Sequence, residues 1–302
     1  MKGKTAYIIC GPTASGKTSF AIELAKILHT GIISADSRKI YSELNIGVAK
    51  PSQQELAEVP HHLIGHVSIQ DHYSVGDYEG DALNAIQQML SAKDAVVIAG
   101  GTGLYIKALC EGIDDMPPID LTFREALNKR VKEVGLPFLL NELEEKDPET
   151  FNRIDRANTQ RVIRAAEVLL FTGKPISYFR KAHKKERSFN IVKLGLKWDK
   201  TSLEERIINR VDQMMEDGLL EEACALQSFK HLNALQTVGY KELFDHFEGH
   251  TNYEQAVELI KIHTRQYAKR QMTWFQKDKE IQWLEMHNDF DVEAFVRTSF
   301  NI

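Results

Sequence analysis

Ala6-Tyr-Ile-Ile-Cys10, followed directly by Gly11-Pro12-Thr13-Ala14-Ser15-Gly16-Lys17-Thr18, is the stretch whose reading decides the fold. The first five residues are an unbroken apolar run, as expected of a strand buried on both faces. The next eight match G-x-x-x-x-G-K-[ST]. Ser19–Leu28 then shows helical periodicity. Strand, glycine loop and helix together are the context that gives this motif its meaning. Glycines let consecutive backbone N–H groups curl around an anion, and the helix N-terminus adds its partial positive charge. Lys17 supplies a point charge to bound phosphate, and the Thr18 hydroxyl is placed to ligate Mg²⁺. The loop Gly11–Thr18 is therefore read as a phosphate site.

Working outward, Gly31–Ala35 and Ala95–Ala99 are further short apolar runs, and Ser74–Ala92 and Leu104–Leu109 are helical patterns. Alternating buried strands and helices predict an α/β protein with a P-loop NTPase-like parallel sheet flanked by helices. The pattern changes at the Pro-Pro segment near 114–120, after which only helices are predicted up to residue 188. Asp120, Asp147 and Asn158 are candidate N-caps there, and Gly135 and Gly173 candidate stops. Asn190–Trp198 reads as a strand returning to the sheet. Ser202-x-x-Glu205 reads as a capping box, Tyr253–Phe275 as a long helix and Ile281–Glu285 as a last strand. The expected division is a core of 1–114 and 189–302 with an all-helical insertion of 115–188.

Composition excludes more than it identifies. The 302 residues are 43% apolar and 27% charged with a net charge of −5, ordinary for a globular protein. Cys10, Cys110 and Cys224 are too scattered for a disulfide framework or a zinc site. The apolar run after Met-Lys-Gly-Lys is too short for a signal segment, and no stretch approaches the roughly 20 apolar residues of a membrane span. A cytoplasmic protein that works as a monomer, with no membrane partner, is expected. Charge is uneven: Thr150–Ser188 holds ten Lys/Arg against Asp155, Glu167 and Glu186. A basic helical module on an acidic body suits a polyanion, although a solvated helix face gives the same pattern.

A P-loop does not name its phosphate. No N-K-x-D follows for guanine, and Ala95–Ala99 ends in Gly100-Gly101-Thr102-Gly103 without a Mg²⁺-holding Asp. The Asp at the end of a buried run is Asp36. Mg²⁺ ligand, general base and helix cap are three readings of it that composition leaves open. A nucleotide or metabolite kinase, an enzyme prenylating free adenine nucleotides and a non-catalytic RNA-binding protein are the rival functions.

Eight segments, in order, narrow the choice: GPTASGKT at 11–18, ISADSRKIY at 33–41, NIGVAKP at 45–51, PHHLI at 60–64, GGTGLYIKAL at 100–109, QRVIRAAEV at 160–168, QTVGYKEL at 236–243 and RQYAKRQMTWF at 265–275. Together they resemble the tRNA dimethylallyltransferases, also called tRNA isopentenyltransferases. The resemblance implies transfer of a dimethylallyl group from dimethylallyl diphosphate to N6 of the adenosine 3′-adjacent to the anticodon, with Mg²⁺ assisting and diphosphate leaving. It implies diphosphate binding by Gly11, Pro12, Thr13, Ala14, Ser15, Gly16, Lys17 and Thr18, with Thr18 on the metal. Asp36 takes or orients the amine proton, and Arg210 supports the leaving group. The anticodon stem-loop of tRNA is expected on Asp36, Ser37, Arg38, Lys39, Thr102, Arg124, Gln160, Arg161, Val162, Ile163 and Arg164. The adjacent His61 and His62 also match, and no zinc is expected on them. The stripe Tyr267, Lys269, Arg270, Trp274 and Phe275 fits either RNA stacking or, more often, core packing with a basic outer face.

Overall fold

The computed structural model describes residues 3–180 and 184–300. Six strands, β1 (Thr5–Cys10), β2 (Ile32–Ser34), β3 (His61–His62), β4 (Ala95–Ala99), β5 (Asn190–Lys197) and β6 (Ile281–Glu285), form one sheet in the order β3-β2-β4-β1-β5-β6. Every pairing is parallel. β1 lies at the centre, with Thr5–Ile9 matched to Ala95–Ala99 on one side and Thr5–Cys10 matched to Asn190–Gly195 on the other. Both faces are covered, which is why these strands are apolar without alternation. On one face Ile8, Ile33, Val96 and Ile98 pack with Tyr78, Ile86, Leu90 and Tyr240. On the other, Ile9, Val97 and Leu194 pack with Phe20, Leu24 and Val296 of the helices Lys17–Ile27 and Val292–Phe300.

The chain separates into two compact units, Met1–Cys110 with Glu186–Ile302, and Glu111–Lys185. All described elements of the second unit are helices, and its core is Leu127, Leu139, Leu143, Val162, Ala165, Val168, Leu169 and Ile176. Asp120, Asp147 and Asn158 each accept from backbone N–H groups at the start of its helices. None of the described helices is long and apolar enough to cross a membrane.

One local expectation needs correction, and one strand has no counterpart in the sequence reading. The helix Lys200–Glu216 is capped by Asp199, which accepts from Ser202 N at 3.0 Å, so Ser202 lies inside the first turn and does not head a capping box. Asp199 stands one turn earlier and is itself a strong capping residue. The pair His61–His62 forms the edge strand β3, two residues being too short to show a period in sequence.

Candidate active site

Parallel strands deliver their following loops to one edge of a sheet. Here the loops after β1, β2 and β4 line or abut a cavity of about 1060 Å³ together with the helices Lys200–Glu216 and Tyr253–Phe275. Residues 13–18 of the glycine loop form one wall of it. Gly11 has φ +143°, and a side chain there would stand 2.7 Å from Leu196 O of β5. Gly16 and, less usually, Ala14 also have positive φ. The Ala14 conformation is held from outside, its carbonyl accepting from Arg206 Nε at 2.8 Å while its methyl packs against Ile207 and Ala268. Trp198 Nε1 donates to Ser15 O at 3.1 Å, and the Arg206 guanidinium stacks on the Trp198 ring at 4.2 Å. Gln271 completes the support, accepting from Thr13 N at 2.8 Å and donating to Gly101 O at 2.9 Å. Three side chains from three elements thus fix the loop before any anion arrives. Ser15 Oγ is buried without a hydrogen-bond partner.

The loop after β2 faces this wall. Asp36 Oδ1 accepts from Arg38 N at 2.9 Å and Lys39 N at 3.4 Å, a turn that fixes the carboxylate. Thr102 ties the loop to the glycine turn after β4. Its hydroxyl accepts from Ser37 N at 2.9 Å and bonds Ser37 Oγ at 3.2 Å. Arg38 Nη1 donates to the carbonyls of Asn233 and Ala234, at 2.7 and 3.2 Å. Arg38 and Thr102 therefore hold backbone in place.

Lys17, Lys39 and Arg210 gather around Asp36. Burial pushes the Lys17 ammonium down to about 7, with Arg210 and Lys39 repelling it and Asp36 opposing them. Burial likewise lowers Lys39 and Arg210, each next to the Asp36 charge. Lys17 Nζ, in this state, folds back to donate to Pro12 O. Three desolvated cations against Asp36 and, beside Lys39, Glu55 form a site short of negative charge, which an anion would complete. Cys10, at the end of β1, has its thiol pushed up to about 12 by burial and is inert as a nucleophile at neutral pH. Val48, Met214, Leu219, Val238 and Ile260 give the same cavity an apolar wall.

In the second unit Glu167, 2% exposed, accepts from Arg124 Nε and Arg164 Nη1, both at 2.5 Å. The two arginines hold its carboxyl below the usual range, against the opposing effect of burial. Gln160 and Arg161 are exposed at the start of the helix Thr159–Thr172. Val162 is fully buried and Ile163 packs on the same core, so Val162 is a packing residue whose side chain presents no surface to RNA. The basic stretch is also less bare than its sequence suggests. Arg153 pairs with Glu149, Lys184 with Glu111 and Lys185 with Asp115. Arg187 belongs to the first unit, where it pairs with Glu79. Lys181 lies outside the described residues.

Sequence reasoning missed several supports. Glu222 accepts from the N–H groups of Asn45, Ile46 and Gly47 at 3.1, 2.9 and 3.0 Å and from the Tyr240 hydroxyl at 2.6 Å, which pins the loop carrying Val48. Buried Glu242 accepts from Gly239 N at 2.8 Å and lies 2.5 Å from His263 Nδ1 at the cavity wall. The Glu222 contacts to Asn45–Gly47 and the Glu242–His263 contact join residues separated along the chain and leave no spacing in the sequence, whereas Glu242 bonding Gly239 N is a local helix-start contact. Gly47 is the exception, a glycine whose added Cβ would stand 2.6 Å from the Tyr240 ring.

Sheet order and the glycine loop after β1 define an α/β protein of P-loop-like fold. The sequence model of the IPP transferase family matches residues 39–278. The chain is 46% identical over 294 residues to a tRNA dimethylallyltransferase of Christiangramia forsetii, covering 97% of each chain. It is 43% identical over 293 residues to tRNA dimethylallyltransferase 1 of Bacteroides thetaiotaomicron, covering 97% of this chain and 95% of that one. Among solved structures, the full-length tRNA isopentenylpyrophosphate transferase of Bacillus halodurans superposes with a TM-score of 0.71 at 34% identity, over 99% and 95% of the two chains. A eukaryotic dimethylallyltransferase acting on tRNA gives 0.82 at 26% identity, over 98% of this chain and 77% of that one. The chain belongs to the IPP transferase family, the tRNA dimethylallyltransferases.

Proposed function

We propose that this enzyme transfers a dimethylallyl group from dimethylallyl diphosphate to N6 of the adenosine 3′-adjacent to the anticodon of tRNA. The observation that carries this reading is the desolvated cluster of Lys17, Lys39 and Arg210 around Asp36, at the mouth of a preformed P-loop. The bond between the allylic carbon and the diphosphate oxygen breaks, the bond from that carbon to N6 forms, and N6 loses one proton. Charge grows on the departing diphosphate, and the preformed loop and Arg210 would receive it, with Lys17 turning from Pro12 O toward the anion. The exocyclic amine is a poor nucleophile because its lone pair is drawn into the ring. Asp36 Oδ1 is committed to its own turn, which leaves Oδ2 to accept the N6 proton.

Thr18 lines the cavity within the phosphate loop, and its hydroxyl oxygen suits a hard divalent ion. Thr18 would hold Mg²⁺, and the ion would supply further neutralisation of the leaving diphosphate. Exposed Gln160 and Arg161 are read as grips on the anticodon stem-loop, with Arg124 and Arg164 oriented by Glu167 beside them. Loop nucleotides are cheaper to extrude than paired ones, so the target adenosine reaches the cleft by leaving the loop stack. The enzyme is proposed to act as a cytoplasmic monomer.

The reading is tested by incubating unmodified tRNA with Mg²⁺ and either dimethylallyl diphosphate or ATP, followed by mass spectrometry of digested nucleosides. A dimethylallyl mass on adenosine in the first arm alone is the expected result. No added mass there, with phosphoryl transfer in the second, would overturn it.

A further inference from the structure

Two cations of the cleft have nothing to hold. Lys39 and Arg210 line the cavity that residues 13–18 wall, and neither side chain has a hydrogen-bonding or ion-pair partner among the described residues. Lys17, the third cation, donates to Pro12 O. The Lys39 backbone is pinned on both sides of its Cα, its N–H reaching Asp36 Oδ1 at 3.4 Å and its carbonyl accepting from Gly65 N at 2.9 Å. The neighbouring Arg38 turns to the carbonyls of Asn233 and Ala234, whereas Lys39 stays on the cavity wall. The carboxylates beside Lys39 are already engaged. Asp36 Oδ1 holds its own turn, and Glu55 accepts from Ser52 N at 2.8 Å in a capping box.

Burial lowers both Lys39 and Arg210, the two repel each other, and both repel Lys17. An unpaired cation withdrawn from water costs free energy in the empty protein. One anion seated among the three relieves all of the repulsions together. An RNA phosphate outside the cavity would pair Lys39 alone and leave Arg210 bare, whereas a diphosphate on the glycine loop carries charge enough for the set. We propose that Lys39 is a further catalytic cation, a direct ligand of the leaving diphosphate beside Lys17 and Arg210, and not a contact to RNA. The inference rests on the transferase reading above. It also means that removing the charge acts in opposite directions on ligand binding and on the empty protein.

The test uses the full chain and the variants Lys39→Gln and Lys39→Arg, with inorganic pyrophosphate and Mg²⁺, an unmodified anticodon stem-loop RNA, and thermal unfolding without ligand. Lys39→Gln is expected to weaken pyrophosphate binding by about 10- to 150-fold, the range for a hydrogen bond to a charged group. Its ligand-free melting temperature is expected to equal or exceed that of wild type, and its RNA affinity to stay within about threefold. Lys39→Arg is expected to keep most of the pyrophosphate affinity. Pyrophosphate binding unchanged in Lys39→Gln, a fall in RNA affinity in its place, or a lower ligand-free melting temperature overturns this proposal while leaving tRNA modification by the wild type intact. A wild-type chain whose pyrophosphate binding depends on Lys39 but which leaves tRNA unmodified overturns the transferase reading instead.

Discussion

Gln271 Oε1 accepts the Thr13 backbone N–H at 2.8 Å, joining the phosphate loop to a helix 258 residues further along the chain. The same carboxamide donates to Gly101 O, so one buried side chain spans the loop Gly11–Thr18 and the turn that braces the Asp36 loop. Gln271→Ala is expected to leave a buried donor and acceptor unmatched, each costing about 1–3 kcal/mol, and to lower kcat/KM by roughly tenfold or more. Gln271→Glu keeps the bond to Thr13 N but sets an oxygen against Gly101 O, and steady-state kinetics should place it between wild type and Gln271→Ala. Unchanged kinetics in Gln271→Ala would show that the two loops hold their positions independently.

The Lys17 ammonium predicts a proton linked to ligand binding. Burial holds it near 7 in the free protein, against 10.5 for an ordinary lysine. An arriving diphosphate favours the charged form and raises it again. At pH 8, binding of a diphosphate is therefore expected to take up protons, and affinity to fall as pH rises through the free-state value. Titration calorimetry in buffers of different ionisation enthalpy measures the uptake. The same shift means that the unfolded chain binds more protons than the folded one between about 7 and 10.5, so Lys17 contributes stability that rises with pH across that window. Proton release at pH 8 would contradict the assignment.

Glu167 is expected to anchor the insertion. Its folded carboxyl lies below the ordinary value, so its stabilisation is present at neutral pH and is lost as pH falls below the usual carboxylate range. Glu167→Gln should cost about 1–3 kcal/mol, less than a fully buried pair because Arg124 and Arg164 are partly exposed. Thermal unfolding at pH 7 and pH 3.5 checks both parts: the variant melts lower at pH 7, and the gap narrows at pH 3.5.

Much of this architecture is legible in sequence wherever local chemistry and long-range packing agree. Gly11, Gly16 and Lys17 sit between a strand and a helix that can be read without the sheet, and Asp120 and Asn158 cap where their side chains predict. The Asp199 cap and the Ser202-x-x-Glu205 pattern compete within one turn, and only the backbone decides between them. Val162 sits in a segment matching the family but on the buried side of its helix. Tyr267 and Trp274 share a stripe with buried Phe275, and a stripe does not say which of its members face out. Gln271, Glu222 and Glu242 act across the fold through polar contacts, which no periodicity records.

Loop support by Glu222 gives a further prediction. Glu222→Gln keeps size but removes the charge that draws in three backbone N–H groups and the Tyr240 hydroxyl. Hydrogen bonds to a charged group contribute about 1.5–3 kcal/mol, so hydrogen exchange at Asn45–Gly47 should accelerate by at least about tenfold. Protection equal to wild type would show that the loop is held by packing on Tyr240 alone.

The most direct test of the account is the single-turnover rate of Asp36→Asn with saturating dimethylallyl diphosphate and tRNA, measured beside its tRNA affinity. The account predicts a rate lower by about 10²–10⁴-fold, the contribution of a positioned general base, with tRNA still bound. A variant that transfers the dimethylallyl group as fast as wild type would contradict the role given to Asp36 and the chemistry built around it.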